Sequence, residues 1–485
     1  MSSVEDELAA RRAENAAKEA VTQGKHPDVV ERLNALHAVI TIGGKTSVMT
    51  ERESTQFKGR IERTFSQRQD LQLQYLNDRY TCGLNKSGKP IIKTADAIWL
   101  ESPERRQYDE IIFDPRLPPG GNDQTHVYNM FRGWPIKMDA KFLKPASIMK
   151  KWKKTRDHIH EVICRGNPLH TRWVLAWMSE RFKHPERLAM VAIVLLGEEG
   201  AGKGTFATDI VGGCYHPQHF LPIASQELLT GRFNMHLADS LLVFADEAFF
   251  AGDPRGTGPL FAMITERTVM HEAKFLNAVP LPNMRAIIMA SNNMLVIPAG
   301  PRARRFAVFE VDESHIRDYP YFQAIRDELA DGGREEMLRY LLQEDFSDVN
   351  VYDAPMTGAL MRQKELNFSP PIRYWFNLLR DRYVPQTAGP ILAWENEMLV
   401  PISAFVRDYI DQPYMRKAHE SKIRAAETEL GITLARLIPS RRKRQLRAGG
   451  TPTRYWELPA LSMARAEFGK AIGGEYTWDD TKDDV

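Results

Sequence analysis

Three apolar runs, each ending abruptly in polar residues, organise this chain. Residues 188–196 are apolar almost throughout and give way to a glycine-rich loop. Residues 241–245 end in Asp246 and Glu247, and residues 286–290 end in Ser291, Asn292 and Asn293. Runs of this length without alternation predict strands buried on both faces, as in a parallel sheet. A helical period takes over between 145 and 186. There Ile159, Val162, Ile163, Trp173, Val174, Trp177 and Met178 share one spacing, which predicts a helical collar under the sheet. Upstream, residues 38–42 and 45–49 flank Gly43 and Gly44 and predict a β-hairpin. Short strands and a helix near 94–101 follow, broken by Pro115, Pro118, Pro119, Gly120 and Gly121, so the N-terminal part reads as α+β. Residues 4–23, rich in Ala, Glu, Arg and Lys, read as an exposed helix or arm that Pro27 closes.

The loop after the first run carries the most chemistry. Gly197, Glu198, Glu199, Gly200, Ala201, Gly202, Lys203, Gly204 and Thr205 fit the phosphate-loop pattern, with Phe206 opening a helix behind them. Glycines let backbone N–H groups curl around phosphate oxygens, a helix N-terminus adds partial positive charge, and Lys203 reaches the β- and γ-phosphates. ATP with Mg²⁺ is the expected ligand. Gly204 stands where Ser or Thr usually touches the metal, so Thr205 is the metal candidate, direct or through water. Asp246 is the second Mg²⁺ candidate, and Glu247 would polarise the attacking water. Both sit at the carboxyl end of a strand, where open α/β sheets place ligands. Asn292 is the candidate sensor of the γ-phosphate. Arg304 and Arg305, twelve and thirteen residues further on, are candidate arginine fingers, one of them structural.

Composition narrows the class. The chain has 485 residues, 43% of them hydrophobic, as in ordinary globular proteins of about three domains. The formal charge is only +2, so a nucleic-acid surface must be a local patch. Cys82, Cys164 and Cys214 are too far apart for a disulfide framework or a zinc site and suit a reducing cytoplasm. The start lacks a signal peptide's apolar core, and no apolar run approaches a membrane span. His158, His160 and His170 lack acidic or cysteine partners at ligand spacing and read as ordinary histidines. No Asp-x-Asp pair in a strand context marks a polymerase centre upstream.

A basic patch lies near the C-terminus. Arg436, Arg441, Arg442, Lys443, Arg444, Arg447 and Arg454 fall within nineteen residues that contain no acid. Helices near 401–412 and 418–430 precede them. A turn at Gly449 and Gly450 and a strand at 454–458 complete a winged-helix pattern, with the cations facing DNA phosphates. Residues 479–484 read as part of an acidic tail.

Taken together, the motifs resemble superfamily 3 helicases, and more closely the helicase part of phage and plasmid primase–helicases, a poxvirus-D5-like group. The strings that carry this are Gly231-Arg-Phe-Asn234, Phe244-Ala-Asp-Glu-Ala248, Ile264-Thr-Glu266, Glu272-Ala-Lys274-Phe275, Ala290-Ser-Asn292 and Arg304-Arg-Phe306. The segments 129–135 and 158–187 also fit, and the resemblance covers about 125–315. It implies an AAA+-like α/β P-loop NTPase core and a hexameric ring, with ATP between subunits and the arginine finger supplied in trans. It also places Lys274 and Phe275 on a channel loop that contacts single-stranded DNA. A primase or polymerase, usually upstream in the same polypeptide of such proteins, would here be a separate partner.

The resulting division is an arm and N-terminal α+β domain (1–144), a helical collar (145–186), the ATPase core (187–315), a helical lid and linker (316–369), a winged-helix-like domain (370–470) and an acidic tail (471–485). The function expected from it is an ATP-driven replicative DNA helicase of a phage, plasmid or mobile element, acting on single-stranded and duplex DNA. Two alternatives stand beside it: an ATP-gated DNA loader or scaffold without unwinding, and a nucleoside monophosphate kinase, whose loops also read Gly-Lys-Gly-Thr.

Overall fold

A computed structural model describes residues 26–478 apart from 43, 56–57, 123–124, 137–149, 233, 248–253, 273–277, 294–303, 387–391, 414, 416–422, 449–450, 474–475 and 477. The proposed N-terminal arm (4–23), residues 479–485 of the acidic tail, the channel-loop residues Lys274 and Phe275, and the Gly449–Gly450 turn therefore lie outside the described residues, while the start of the proposed tail is the end of a helix, Leu461–Ile472.

The N-terminal part begins with the helix Pro27–Asn34, which Pro27 opens, its fixed φ suiting a first helical turn. Strands β1 (His37–Ile42), β2 (Lys45–Glu53) and β3 (Ile61–Ser66) pair antiparallel in turn. The hairpin β4 (Arg79–Leu84) and β5 (Pro90–Thr94) follows, then the helix Ala95–Glu101. Strand β6 (Gln107–Tyr108) runs parallel to β1, giving the order β3-β2-β1-β6. A second small sheet sets β7 (Glu110–Ile112) and β8 (Gly120–Asn122) on either side of β9 (Val127–Asn129). Gly120 and Gly121, read as a break from the sequence, are thus in a strand. Strand alternation splits the first sheet's residues between two cores. Val39 and Val48 join Val29, Leu33, Leu71 and Trp99. Ala38, Ile40, Ile42 and Met49 join the main core of the chain.

The central sheet is made of β10 (Ala192–Leu196), β11 (Phe220–Ile223), β12 (Leu242–Asp246), β15 (Ala286–Ser291) and β16 (Phe306–Glu310). All neighbours are parallel, in the order β11-β12-β15-β10-β16. The short antiparallel hairpin β13 (Thr268–His271) and β14 (Val279–Pro282) is inserted before β15. Ile193, Leu195, Phe244, Ile288 and Phe309 face one layer, which includes Trp173, Val174, Trp177 and Phe206. Val194, Val243, Ala245, Ile287 and Val308 face the other, with Leu260, Met263, Ile264 and Leu360. Burial on both sides is why these strands are near-continuous apolar runs.

The collar comprises the helix Lys153–Asp157, a π-helical turn His158–Ile163 and the helix Pro168–Lys183. It forms one layer with the helices Tyr319–Glu328 and Arg334–Gln343. Glu328 accepts hydrogen bonds from the backbone N–H of Lys154 and Thr155 at 2.9 and 2.8 Å, satisfying donors that a helix start leaves unpaired. The later helix Gly358–Leu366 packs on the opposite face of the sheet through Leu360. Residues 316–369 are therefore shared between the two layers.

The C-terminal part has its own core around Trp375, Trp394, Phe405, Leu430, Trp456 and Phe468. After the short pair β17 (Tyr383–Val384) and β18 (Leu392–Ala393), the strand β19 (Met398–Pro401) leads into the helices Ile402–Asp411 and Ile423–Leu437. The hairpin β20 (Arg442–Ala448) and β21 (Thr451–Leu458) then completes a three-stranded sheet, order β19-β21-β20, before a last helix Leu461–Ile472. No helix among the described residues is long and apolar enough to cross a membrane.

Candidate functional site

The carboxyl ends of β10, β12 and β15 lie side by side, and each delivers polar residues to one rim. Leaving β10, Gly197 N–H bonds Ser291 O at 3.2 Å, which ties the loop to β15. Gly200 and Gly202 hold φ of +83° and +97°, a region glycine enters at no steric cost. Lys203 is 9% exposed and folds back over its own loop. Its ammonium donates to the carbonyl of Gly197 and, at 2.9 Å, to that of Glu198. Burial pulls the Lys203 pKa down, while the charges of Asp246, Glu198 and Glu247 oppose the fall. Gly204 has helical φ of −62° and open space where a Cβ would stand. Thr205 is half-buried, and Phe206, fully buried, anchors the π-helical turn Thr205–Val211 in the core.

The acids arrive from β12. Asp246 still pairs with Ala290 in register, and Glu247 N–H bonds Ala290 O at 2.9 Å. Glu247 then takes a left-handed φ of +54°, uncommon for a residue with a side chain. Its carboxylate accepts from Asn292 Nδ2 at 3.4 Å. Burial and the neighbouring charge of Glu247 push the Asp246 carboxyl up, against the pull of Lys203. Loop lysine, acid pair and amide, distant in sequence, thus converge on one rim.

The helical layer supports this rim from beneath. His158 is fully buried, with Nε2 3.3 Å from Gly202 O and Nδ1 3.2 Å from the Tyr321 hydroxyl. Burial lowers its pKa to about 4. Arg317, with φ of +59°, brings its backbone within 3.5 Å of where a Cβ on Gly200 would stand. Sequence reasoning missed both residues: His158 and Arg317 lie forty-four and more than a hundred positions from the glycines they touch.

Arg304 and Arg305 lie at the other end of the sheet. Arg305 O accepts from Ala192 N–H, at the amino end of β10, at 2.8 Å. Five strand residues separate that point from the loop, roughly 17 Å at strand rise. Neither arginine reaches the rim of its own chain. Arg304 is exposed, and the Arg305 guanidinium lies 4.7 Å from the Phe261 ring centroid.

At the base of the β13–β14 hairpin, Asn234 Oδ1 accepts from Glu272 N–H at 2.9 Å, and Arg232 pairs with Glu272. In the C-terminal part, the acid-free run of cations meets acids from elsewhere in the chain. Arg444 pairs with Glu457 and Arg454 with Glu427, each at 2.8 Å. Arg441 turns inward, 4.4 Å over the Trp456 ring, and burial lowers its pKa to about 10. Arg442, Lys443 and Arg447 are exposed along β20. Cys82, Cys164 and Cys214 are free thiols, and the described residues hold no cluster of three His, Cys, Asp or Glu able to hold a metal.

The fold is therefore mixed α/β, built on a five-stranded parallel sheet with a polar rim at the strand ends. Its likeness among solved structures is to the apo structure of the NrS-1 C-terminal region (305–718), at a TM-score of 0.53 and 15% identity, covering 89% of this chain and 98% of that one. The A form apo structure of the same region gives a TM-score of 0.51 at 15% identity, covering 88% and 98%. A family model of unknown function, DUF5906, matches residues 195–305, the span from the end of β10 to Arg305. No curated protein matches.

Proposed function

We propose that the rim is a P-loop ATPase site and that the chain is a replicative DNA helicase working as a ring. The observation that carries this is the convergence of Lys203, Asp246, Glu247 and Asn292 at the carboxyl ends of adjacent parallel strands. In chain order the five strands run 2-3-4-1-5 across the sheet, the loop strand beside the sensor strand, which supports an AAA+-like core. The loop suits a nucleotide: Lys203 is already held by two carbonyls, and its ammonium can exchange them for phosphate oxygens. Thr205 and Asp246 would hold Mg²⁺, directly or through water. Bound ATP·Mg²⁺ supplies the γ-phosphoryl group whose transfer to water drives the cycle.

The chain's own residues do the positioning. Glu247, on its left-handed backbone, would orient a water and take its proton, and Asn292 would hold the same carboxylate in place. The distance of Arg304 and Arg305 from their own loop supports a ring in which a neighbouring copy supplies the finger. Arg304 is the better finger, since Arg305 is engaged with Phe261. Three of the four described helices of the C-terminal part, Ile402–Asp411, Ile423–Leu437 and Leu461–Ile472, support a winged helix together with the β19–β21–β20 sheet, with Arg442, Lys443 and Arg447 as its DNA contacts.

The test is steady-state ATP hydrolysis with and without single-stranded DNA, beside a fork-unwinding assay, for the wild type and Lys203→Ala. DNA-stimulated hydrolysis and strand separation, both lost in the variant, are expected. Unwinding by Lys203→Ala at the wild-type rate would refute the proposal, and hydrolysis without strand separation would leave a loader or scaffold.

A further inference from the structure

On the N-terminal sheet, far from the phosphate loop in sequence, three arginines converge on one carboxylate. Arg63 Nε reaches Glu51 Oε1 at 3.3 Å, Arg132 Nη2 the same oxygen at 2.5 Å, and Arg106 Nη2 reaches Oε2 at 2.6 Å. The Tyr128 hydroxyl also donates to Oε1. One further carboxylate joins the network, Asp239, 2.5 Å from Arg63 Nη1. Three cations thus share two anions. Three of their buried donors, Arg63 Nη2, Arg106 Nε and Arg132 Nε, have no acceptor among the described residues. The Arg63 side chain is only 7% exposed, and a buried charged donor left unpaired is costly.

Beside this network opens a cavity of about 470 Å³. Arg52, Arg106, Arg132, Tyr108, Tyr128 and the backbone of Gly120 and Gly121 line it, together with the carboxylates Glu51 and Glu53. Its wall is built with care by the sequence. Asn129 Nδ2 donates to the carbonyls of Asp114, Leu117 and Pro118 at 2.8, 3.3 and 3.0 Å, and Oδ1 accepts from Asp114 N–H at 3.0 Å. That amide pins the turn that delivers the two glycines. A Cβ on Gly121 would stand 1.9 Å from the Tyr108 hydroxyl, so only glycine lets the strand cross that ring. Guanidinium forks, a tyrosine and side-chain-free backbone around one cavity are the donor set that phosphate oxygens use.

We propose that this cavity is a second phosphate-binding site, taking one phosphate group of a nucleic-acid strand or of a free nucleotide. The proposal does not depend on ATP hydrolysis at the loop. It is tested in the full chain carrying Lys203→Ala, so that phosphate held at the loop does not report. Inorganic phosphate binding is measured calorimetrically, and photo-cross-links from a thiothymidine-containing oligo(dT) are mapped by mass spectrometry. Arg52→Glu and Gly120→Asp place negative charge in the cavity without touching the arginine network. Each should weaken binding about tenfold, the effect of one lost charged contact. Phosphate binding that both variants lose, without cross-links to 106–132, supports a free phosphate or nucleotide as the ligand. Cross-links to 106–132 that both variants lose support a strand. If the parent shows neither, or if both variants match it, the proposal is overturned. A variant that melts below its parent is replaced by Arg106→Lys, which keeps the charge but loses the fork.

Discussion

Gly202 and Gly204 stand two residues apart in the same loop, yet alanine should act on them in opposite directions. At Gly202 a Cβ would come within 2.5 Å of His158 Cε1 and 2.8 Å of Phe322 Cε1. Both rings are buried, and His158 is held between Gly202 O and the Tyr321 hydroxyl, so neither can swing aside. Overpacking of this kind costs about 1–3 kcal/mol, and the left-handed backbone of +97° adds about 1–2 kcal/mol for any L side chain. Gly202→Ala should therefore lose roughly 2–5 kcal/mol. At Gly204 the backbone is helical and no atom lies within 4 Å of the new Cβ. Gly204→Ala should gain about 0.5–1 kcal/mol through a less flexible unfolded chain.

Calorimetric melting of both variants reads the contrast. At roughly 2–4 °C per kcal/mol for a domain of this size, Gly202→Ala should melt about 5–15 °C low and Gly204→Ala at or slightly above the parent. ATP should protect the parent and Gly204→Ala from melting, and Gly202→Ala much less, because the displaced loop no longer cradles phosphates. Equal shifts for the two variants, or a Gly202→Ala protein that melts with the parent, would refute the packing of His158 under the loop. A double-mutant cycle with His158→Ala sharpens the test. The two losses should fall short of additivity by about 1 kcal/mol or more, since removing the ring removes the clash.

Mixing Arg304→Ala subunits with Glu247→Gln subunits should restore part of the ATPase that each lacks alone. A mixed interface then carries both intact parts, and failure in confirmed mixed rings would argue against a finger in trans. Arg305→Ala should instead lower stability by about 0.5–1 kcal/mol through its contact with Phe261, measured by urea unfolding. In the C-terminal part, Arg447→Ala should reduce the salt dependence of DNA binding with stability unchanged, whereas Arg441→Ala should lower stability through Trp456. Acid should destabilise the fold before carboxylates protonate. His37, His158, His219 and His271 are buried and hold pKa values of about 4, chiefly by desolvation, below the ordinary 6.5. Their stabilising effect is complete above about pH 6.5 and is lost as pH falls toward 4, because only the unfolded chain takes up protons there. At about pH 5.5 each should cost about 1 kcal/mol, and His219→Gln should flatten the pH dependence of the urea midpoint by one such share.

What was legible in the sequence was local. Each strand of the rim announces itself by an apolar run and the polar residues that end it, because burial on both faces and function at one end leave their mark within ten residues. What was not legible joins distant segments. The acid-free stretch from Arg436 to Arg454 looks like an unpaired cationic surface, yet Glu427 and Glu457 reach Arg454 and Arg444 from just outside it. Trp456 takes Arg441, just before β20, while Arg442, Lys443 and Arg447 remain exposed along the strand. The histidine under the phosphate loop shows the same limit. His158 reads as one of three scattered histidines until the helical layer folds against the loop, and then it occupies the space a side chain at Gly202 would need. Gly202 in turn looks like one more glycine of a phosphate-binding motif, required by the ligand alone. The packing gives it a second reason to be glycine. A variant loop that kept every backbone donor but carried a Cβ at this position would fail for want of room as well as for its geometry.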